Sequence, residues 1–246
     1  MKISFLGTSH GVPAKGRFCS CIMLESNGAI YLIDAGAPAV ELMLQNGKKV
    51  SDFRALFTTH THMDHTVGML HLIGLMSWHY TESKADFFIT EQAHIDSTKQ
   101  WILTSGVREV DESRLHFHVP TAGVVYEDEN IKVEYIPTKH MESSYAILVT
   151  EGDKRVLFGG DFSYKLKKQD VPEVIREELE GFVCELAHFT LEMFEPYLAE
   201  CRAKRIFFVH AKAQYYPDIE AAIEDAKNGK YPFEILAPAD GDSFEI

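Results

Sequence analysis

The segment Thr59-His60-Thr61-His62-Met63-Asp64-His65 restricts this chain more than any other stretch. It places four side chains of metal-ligand type within six positions. It follows a short apolar run, Ala55-Leu56-Phe57, and precedes a helical pattern from Val67 to Trp78. On an extended backbone, residues two apart face the same side, so His60 and His62 can reach one cation. Asp64 and His65 fall where the chain turns into the helix and can point at a second. Gathering these groups in one place without an ion is costly, so the segment demands a fold that brings further ligands to it.

Candidates for those ligands end other strand-like runs. Asp34 follows Ile30–Ile33, and His140 follows Val133–Ile136. Asp161 follows Val156–Phe158 through Gly159-Gly160, Glu185 and His188 follow Phe182-Val183, and His210 follows Ile206–Val209. Polar groups at the ends of successive strands converge on one edge of a sheet assembly. The expected first site is His60, His62 and His140, a nitrogen-rich set suited to zinc. The expected second is Asp64, His65 and His210, with the Asp161 carboxylate bridging two cations roughly 3.5–4 Å apart. A water between them would lose a proton near neutral pH and become a nucleophile. Asp34 is expected behind the ligands, orienting an imidazole, with turn capping as its alternative. Asp64, Glu185 and His188 are the catalytic candidates: His188 as a proton donor to the leaving group, Glu185 beside it or in an ordinary ion pair. Manganese and iron accept the same donor types as zinc.

Other histidines carry less. His71 and His79 are expected packed on the helix or at its end, and His10 without a role in its loop. His94, His116 and His118 lack partners at ligand spacing. Cys19 and Cys21 are expected as buried reduced thiols.

The remaining pattern is ordinary. Strand-like runs at Lys2–Leu6, Ser20–Glu25 and Ile30–Ile33 are joined in part by an Asn27-Gly28 turn. Helices are expected over Pro38–Gln45 and Glu91–Leu103, and helical repeats around Val171–Leu179, Leu191–Leu198 and Ile219–Ala226. Strands first and then alternation suggest sheets covered by helices on their outer faces, within one domain over residues 1–246. No run of 18 apolar residues occurs, so no spanning helix is expected, and a cytoplasmic address is the default. A net charge of −13 disfavours a non-specific nucleic-acid binder.

These motifs resemble the metallo-β-lactamase superfamily, and within it the phosphodiesterase branch that includes ribonuclease Z. Leu6-Gly7-Thr8-Ser9-His10-Gly11-Val12-Pro13 is similar to that branch's opening loop. Asp34-Ala35-Gly36, the histidine segment, His140, Gly160-Asp161 and His210 match its five motifs in order. The resemblance implies an α/β fold of four layers, an αββα sandwich, holding two zinc ions and catalysing hydrolysis. Two departures stand out. The interval from His140 to Asp161 leaves no room for the tRNA-binding arm of ribonuclease Z, which argues against tRNA and for a small-molecule substrate. Cys184 replaces the histidine that is the proposed donor there, and His188 lies four residues on. The same site could serve a lactone or thioester hydrolase, an iron-dependent redox enzyme, or a non-catalytic sensor. The sequence leaves oligomeric state open, a homodimer included.

Overall fold

In a computed structural model describing residues 1–167 and 170–246, two seven-stranded sheets lie face to face with helices outside them. In chain order the elements are β1 (Lys2–Gly7), β2 (Cys21–Ser26), β3 (Ala29–Ile33), α1 (Ala39–Gln45), β4 (Phe53–Phe57), α2 (Met63–Thr66), α3 (Met69–Trp78), β5 (Ala85–Phe88), α4 (Gln92–Thr104) and β6 (Leu115–His118). There follow β7 (Gly123–Glu127), β8 (Lys132–Pro137), β9 (Tyr145–Glu151), β10 (Lys154–Phe158), β11 (Gly181–Leu186), α5 (Leu191–Leu198), β12 (Arg205–Ala211), α6 (Tyr216–Lys227), β13 (Glu234–Leu236) and β14 (Ser243–Glu245). The sheet orders are β14-β1-β2-β3-β4-β5-β6 and β13-β12-β11-β10-β9-β8-β7. In the first sheet the pairings from β14 to β3 are antiparallel and those from β3 to β6 parallel. The second repeats this plan, antiparallel from β7 to β10 and parallel from β10 to β13.

Alternation along the strands builds three apolar layers. Tyr31, Ile33, Phe57, Val133, Tyr135, Val183 and Phe207 point into the space between the sheets. Leu32, Leu56 and Phe87 point the other way, under α1, α3 and α4. Phe182, Cys184, Ile206 and Phe208 point outward under α5 and α6. Strands buried on both faces explain the continuous apolar runs in the sequence. The result is the expected αββα sandwich. No described helix is long and apolar enough to cross a membrane.

Several local expectations change. The helix expected from Val67 to Trp78 is α3, begun two residues later and preceded by the single turn of α2, and one of its faces is exposed. Met69, Leu72, Ile73 and Met76 face the core, whereas His71 is exposed and pairs with Glu41 at 3.1 Å. The repeat at Val171–Leu179 forms only a short 3₁₀ turn, Glu173–Arg176, because its apolar residues pack as loop anchors under α5. Strands β7 and β14 went unanticipated: β7 has few fully buried side chains, and β14 is three residues long. Cys19 is only partly buried.

Close backbone contact beneath α2 positions the histidine segment. Ala35 N–H donates to His65 O at 2.7 Å, and Gly68 N–H donates to Ala35 O at 2.7 Å. A Cβ on Gly36 would lie 1.7 Å from Asp64 O, so only glycine lets these segments touch. We expect Gly36→Ala to destabilise the protein by more than about 2 kcal/mol in urea titration. Gly74→Ala, on α3 with open space around it, should be neutral or stabilising by up to about 1 kcal/mol.

Candidate metal centre

The site lies where the two sheets meet at the C-terminal ends of their parallel strands. β3 delivers Asp34, β4 the histidine segment, β10 Asp161, β11 Glu185 and His188, and β12 His210. His140 comes from the connection between β8 and β9. Cross-sheet bonds close this edge: Tyr145 N–H donates to Thr59 O at 2.9 Å, and His210 N–H to Thr8 O at 2.7 Å. Asp34 and His210 adopt left-handed backbone conformations at φ 57° and 49°. Such conformations cost about 1 kcal/mol or more each in non-glycine residues and cluster at functional sites.

Asp161 draws three donor sets together. His60, His62, His140 and Asp161 make the first; Asp64, His65 and His210 make the second; Asp161, His188 and His210 make a third that overlaps both. In the first, Nδ1 of His62 lies 3.0 Å from His60 Nε2 and 3.2 Å from His140 Nε2. Asp161 Oδ2 is 3.8 Å from both of those Nε2 atoms. In the second, His65 Nε2 is 3.6 Å from Asp64 Oδ2, and His210 Nε2 is 3.8 Å from the same oxygen. Asp161 reaches across with Oδ1 at 3.5 Å from His65 Nε2 and Oδ2 at 3.4 Å from His210 Nε2.

Hydrogen bonds behind the rings fix which nitrogen faces inward. The Asp34 carboxylate accepts from His65 Nδ1 at 2.8 Å and from Thr59 N–H at 2.7 Å. Phe162 O accepts from His140 Nδ1 at 3.2 Å, and Ser20 Oγ meets His210 Nδ1 at 2.8 Å. Asp34 thus holds an imidazole as the sequence reading expected. The spacing of Ser20 and Phe162 gave no hint of their parts, since they reach the site only through tertiary contact.

Electrostatics favour neutral rings at His60, His140 and His210 and a charged one at His65, around an ionised Asp161. Burial pushes His60, His140 and His210 below the ordinary histidine range. Burial opposes ionisation of Asp161, but the His210 and His65 rings outweigh it and hold the carboxyl well below the usual carboxylate range. His65 goes up despite burial, because Asp161 and Asp34 face it. Among the described buried atoms, His65 Nε2 and Asp161 Oδ1 have no hydrogen-bond partner. Orphaned polar atoms pointing into a ring of nitrogen lone pairs are the signature of a cation site. The donor set of imidazole and carboxylate fits zinc.

Glu185 and His188 form a separate pair at the rim. The buried Glu185 carboxylate accepts from the N–H groups of Phe162, Ala187 and His188, and from His188 Nδ1 at 2.9 Å. Burial lowers the tendency of His188 to protonate, but the Glu185 hydrogen bond outweighs it and the net direction is up. Cys184 is fully buried and faces the outer core. His10 lies over the site, its ring 6.2 Å from that of His210. His116 and His118 lie elsewhere, sharing one oxygen of Asp86.

Residues 1–228 match the family described as the Anti-Pycsar protein Apyc1. The chain belongs to that family. It is also similar to ribonuclease Z of Anoxybacillus flavithermus, 34% identical over 157 residues, which are 62% of this chain and 49% of that one. The chain spans about half the length of the curated relatives it matches. Among solved structures it resembles the metallo-β-lactamase fold protein YhfI from Bacillus subtilis, with a TM-score of 0.78 and 15% identity over 100% of this chain and 99% of that one. It also resembles a diphosphatase of the PhnP family, with a TM-score of 0.72 and 19% identity over 100% and 97%. The fold is therefore that of the metallo-β-lactamases, in its ribonuclease Z-like form.

We expect Asp34→Asn to weaken zinc binding about 10- to 100-fold, because it removes the charge behind His65. Titration of the zinc-loaded protein against a competing chelator checks this. Zinc removal by excess chelator should lower Tm, since the repulsions the cations offset would return.

Proposed function

We propose that the protein is a zinc-dependent hydrolase that cleaves a phosphodiester in a small substrate. The observation that carries this reading is the pair of ligand sets sharing Asp161, with a carboxylate-held histidine beside them. The ribonuclease and diphosphatase names of its relatives support phosphoester chemistry. Against tRNA stand the net charge of −13 and the interval from His140 to Asp161, which holds only the β9–β10 hairpin. We place this activity on one cytoplasmic domain.

Each group then takes a role. His60, His62 and His140 would hold one zinc ion and Asp64, His65 and His210 the other, with Asp161 facing both sets. Cations held there supply Lewis-acid stabilisation of charge on phosphoryl oxygens and make water more acidic. The deep ligands His60, His65, Asp161 and His210 are buried, whereas His62 is exposed and His140 and His188 are partly so. Substrate therefore approaches from the side of His62, His140 and His188. Glu185 fixes the Nδ1 side of His188 and favours its protonated form, leaving Nε2 to donate to the departing alkoxide. A ring at this place replaces the function that buried Cys184 cannot supply.

Metal analysis beside turnover tests the reading. We expect about two zinc ions per chain and hydrolysis of bis-p-nitrophenyl phosphate. His62→Ala and Asp161→Ala should each lose metal and abolish turnover. Precursor tRNA, lactone and thioester substrates form the comparison panel. Turnover confined to the acyl substrates would replace the phosphodiester reading, and iron with redox activity would replace hydrolysis. We expect His188→Ala to lower kcat by about 10²–10⁴ for diesters with alkoxide leaving groups. The loss should be much smaller for p-nitrophenolate, which departs without protonation.

A further inference from the structure

The opening beside His188 carries a cation for which the mechanism above has no use. Lys212 follows His210 by two residues, where β12 ends. Its N–H donates to Leu186 O at 3.2 Å, which fixes it beside the segment bearing Glu185 and His188. Its Nζ lies 5.7 Å from the centre of the Tyr164 ring. Tyr164 is 65% exposed and packs edge-on against His188, with ring centres 4.6 Å apart. The ammonium is close enough to act electrostatically on both His188 and His10. Among the described residues no carboxylate forms an ion pair with it, so its charge is available at this rim.

We propose that Lys212 is the anion-recognition residue of this site: it binds the phosphate of an incoming diester and sets the preference for anionic esters over neutral acyl esters. The proposal rests on the phosphodiesterase reading and deepens it. The ligand sets act on any polarisable ester, phosphoryl or acyl. A point charge at the entrance distinguishes the two, because a phosphodiester retains a negative charge and a lactone or thioester has none. Lysine suits this part, as a compact cation on a flexible stem that does not demand bidentate geometry. Tyr164 lies between Lys212 and His188, with its ring 5.7 Å from the ammonium and 4.6 Å from the His188 ring.

The test uses the zinc-loaded full chain with Lys212→Gln and Lys212→Arg. Lys212→Gln should raise KM for bis-p-nitrophenyl phosphate roughly tenfold, the scale of one charge-assisted hydrogen bond, with a much smaller change in kcat. Lys212→Arg should recover most of that loss. Added salt should weaken kcat/KM of the wild type more steeply than that of Lys212→Gln. Inorganic phosphate provides a readout independent of turnover: it should raise the Tm of the wild type, and raise that of Lys212→Gln by less than half as much. Turnover with KM within twofold of the wild type, together with an equal phosphate shift, would overturn the role of Lys212 alone. A wild type with two zinc ions and no diester turnover would overturn the phosphodiesterase reading and this inference with it.

Discussion

Asp161 is a buried carboxylate with nitrogens of His60, His65, His140, His188 and His210 within 3.4–3.8 Å. Taking such a charge out of water is costly unless positive charge meets it. Burial works against charging most of these imidazoles, so they offer lone pairs instead. A cluster of one carboxylate and several lone pairs, with two buried polar atoms left unsatisfied, is suited to hold cations. The rest of the structure is arranged around this demand. Two residues accept left-handed backbone, and Gly36 gives up its side chain so that β3 and the histidine segment can touch.

The repeated plan of the two sheets explains how so many polar groups reach one place. Each sheet has a parallel half, and the C-terminal ends of those halves open onto the same edge. The first sheet supplies Asp34 and the histidine segment; the second supplies Asp161, Glu185, His188 and His210. The apolar layer between the sheets, with Tyr31, Phe57, Tyr135 and Phe207 fully buried, holds the two halves at fixed distance. Ligands on opposite sheets therefore meet without a mobile loop to bring them together. Ring orientation is set in the same way, by bonds from Asp34, Ser20 and the Phe162 carbonyl.

Burial also divides the site into a frame and a face. The frame, His60, His65, Asp161 and His210, is closed to solvent and specifies where charge collects. The face, His62, His140 and His188 with Tyr164 and Lys212 beside them, is the side open to solvent. Glu185 belongs to both: its carboxylate is fully enclosed by N–H donors, yet it acts through a ring at the open rim.

The sequence by itself brought out the candidate ligands and the layer plan. His60, His62, Asp64 and His65 are four local positions whose spacing speaks directly of coordination, and strands buried on both faces write themselves as apolar runs. His140, Asp161 and His210 were legible because each ends such a run. Where the pattern was weak, the reading failed. The helical repeat at Val171–Leu179 is a packed loop, and β7 and β14 are short or lightly buried. Only the tertiary structure decided that Asp34 holds His65, that Ser20 meets His210 across 190 residues, and that Lys212 stands beside His188 and Tyr164. Periodicity reports the environment of one element. Which side chains of different elements meet depends on strand order and register, and those are fixed by the packing of the whole chain.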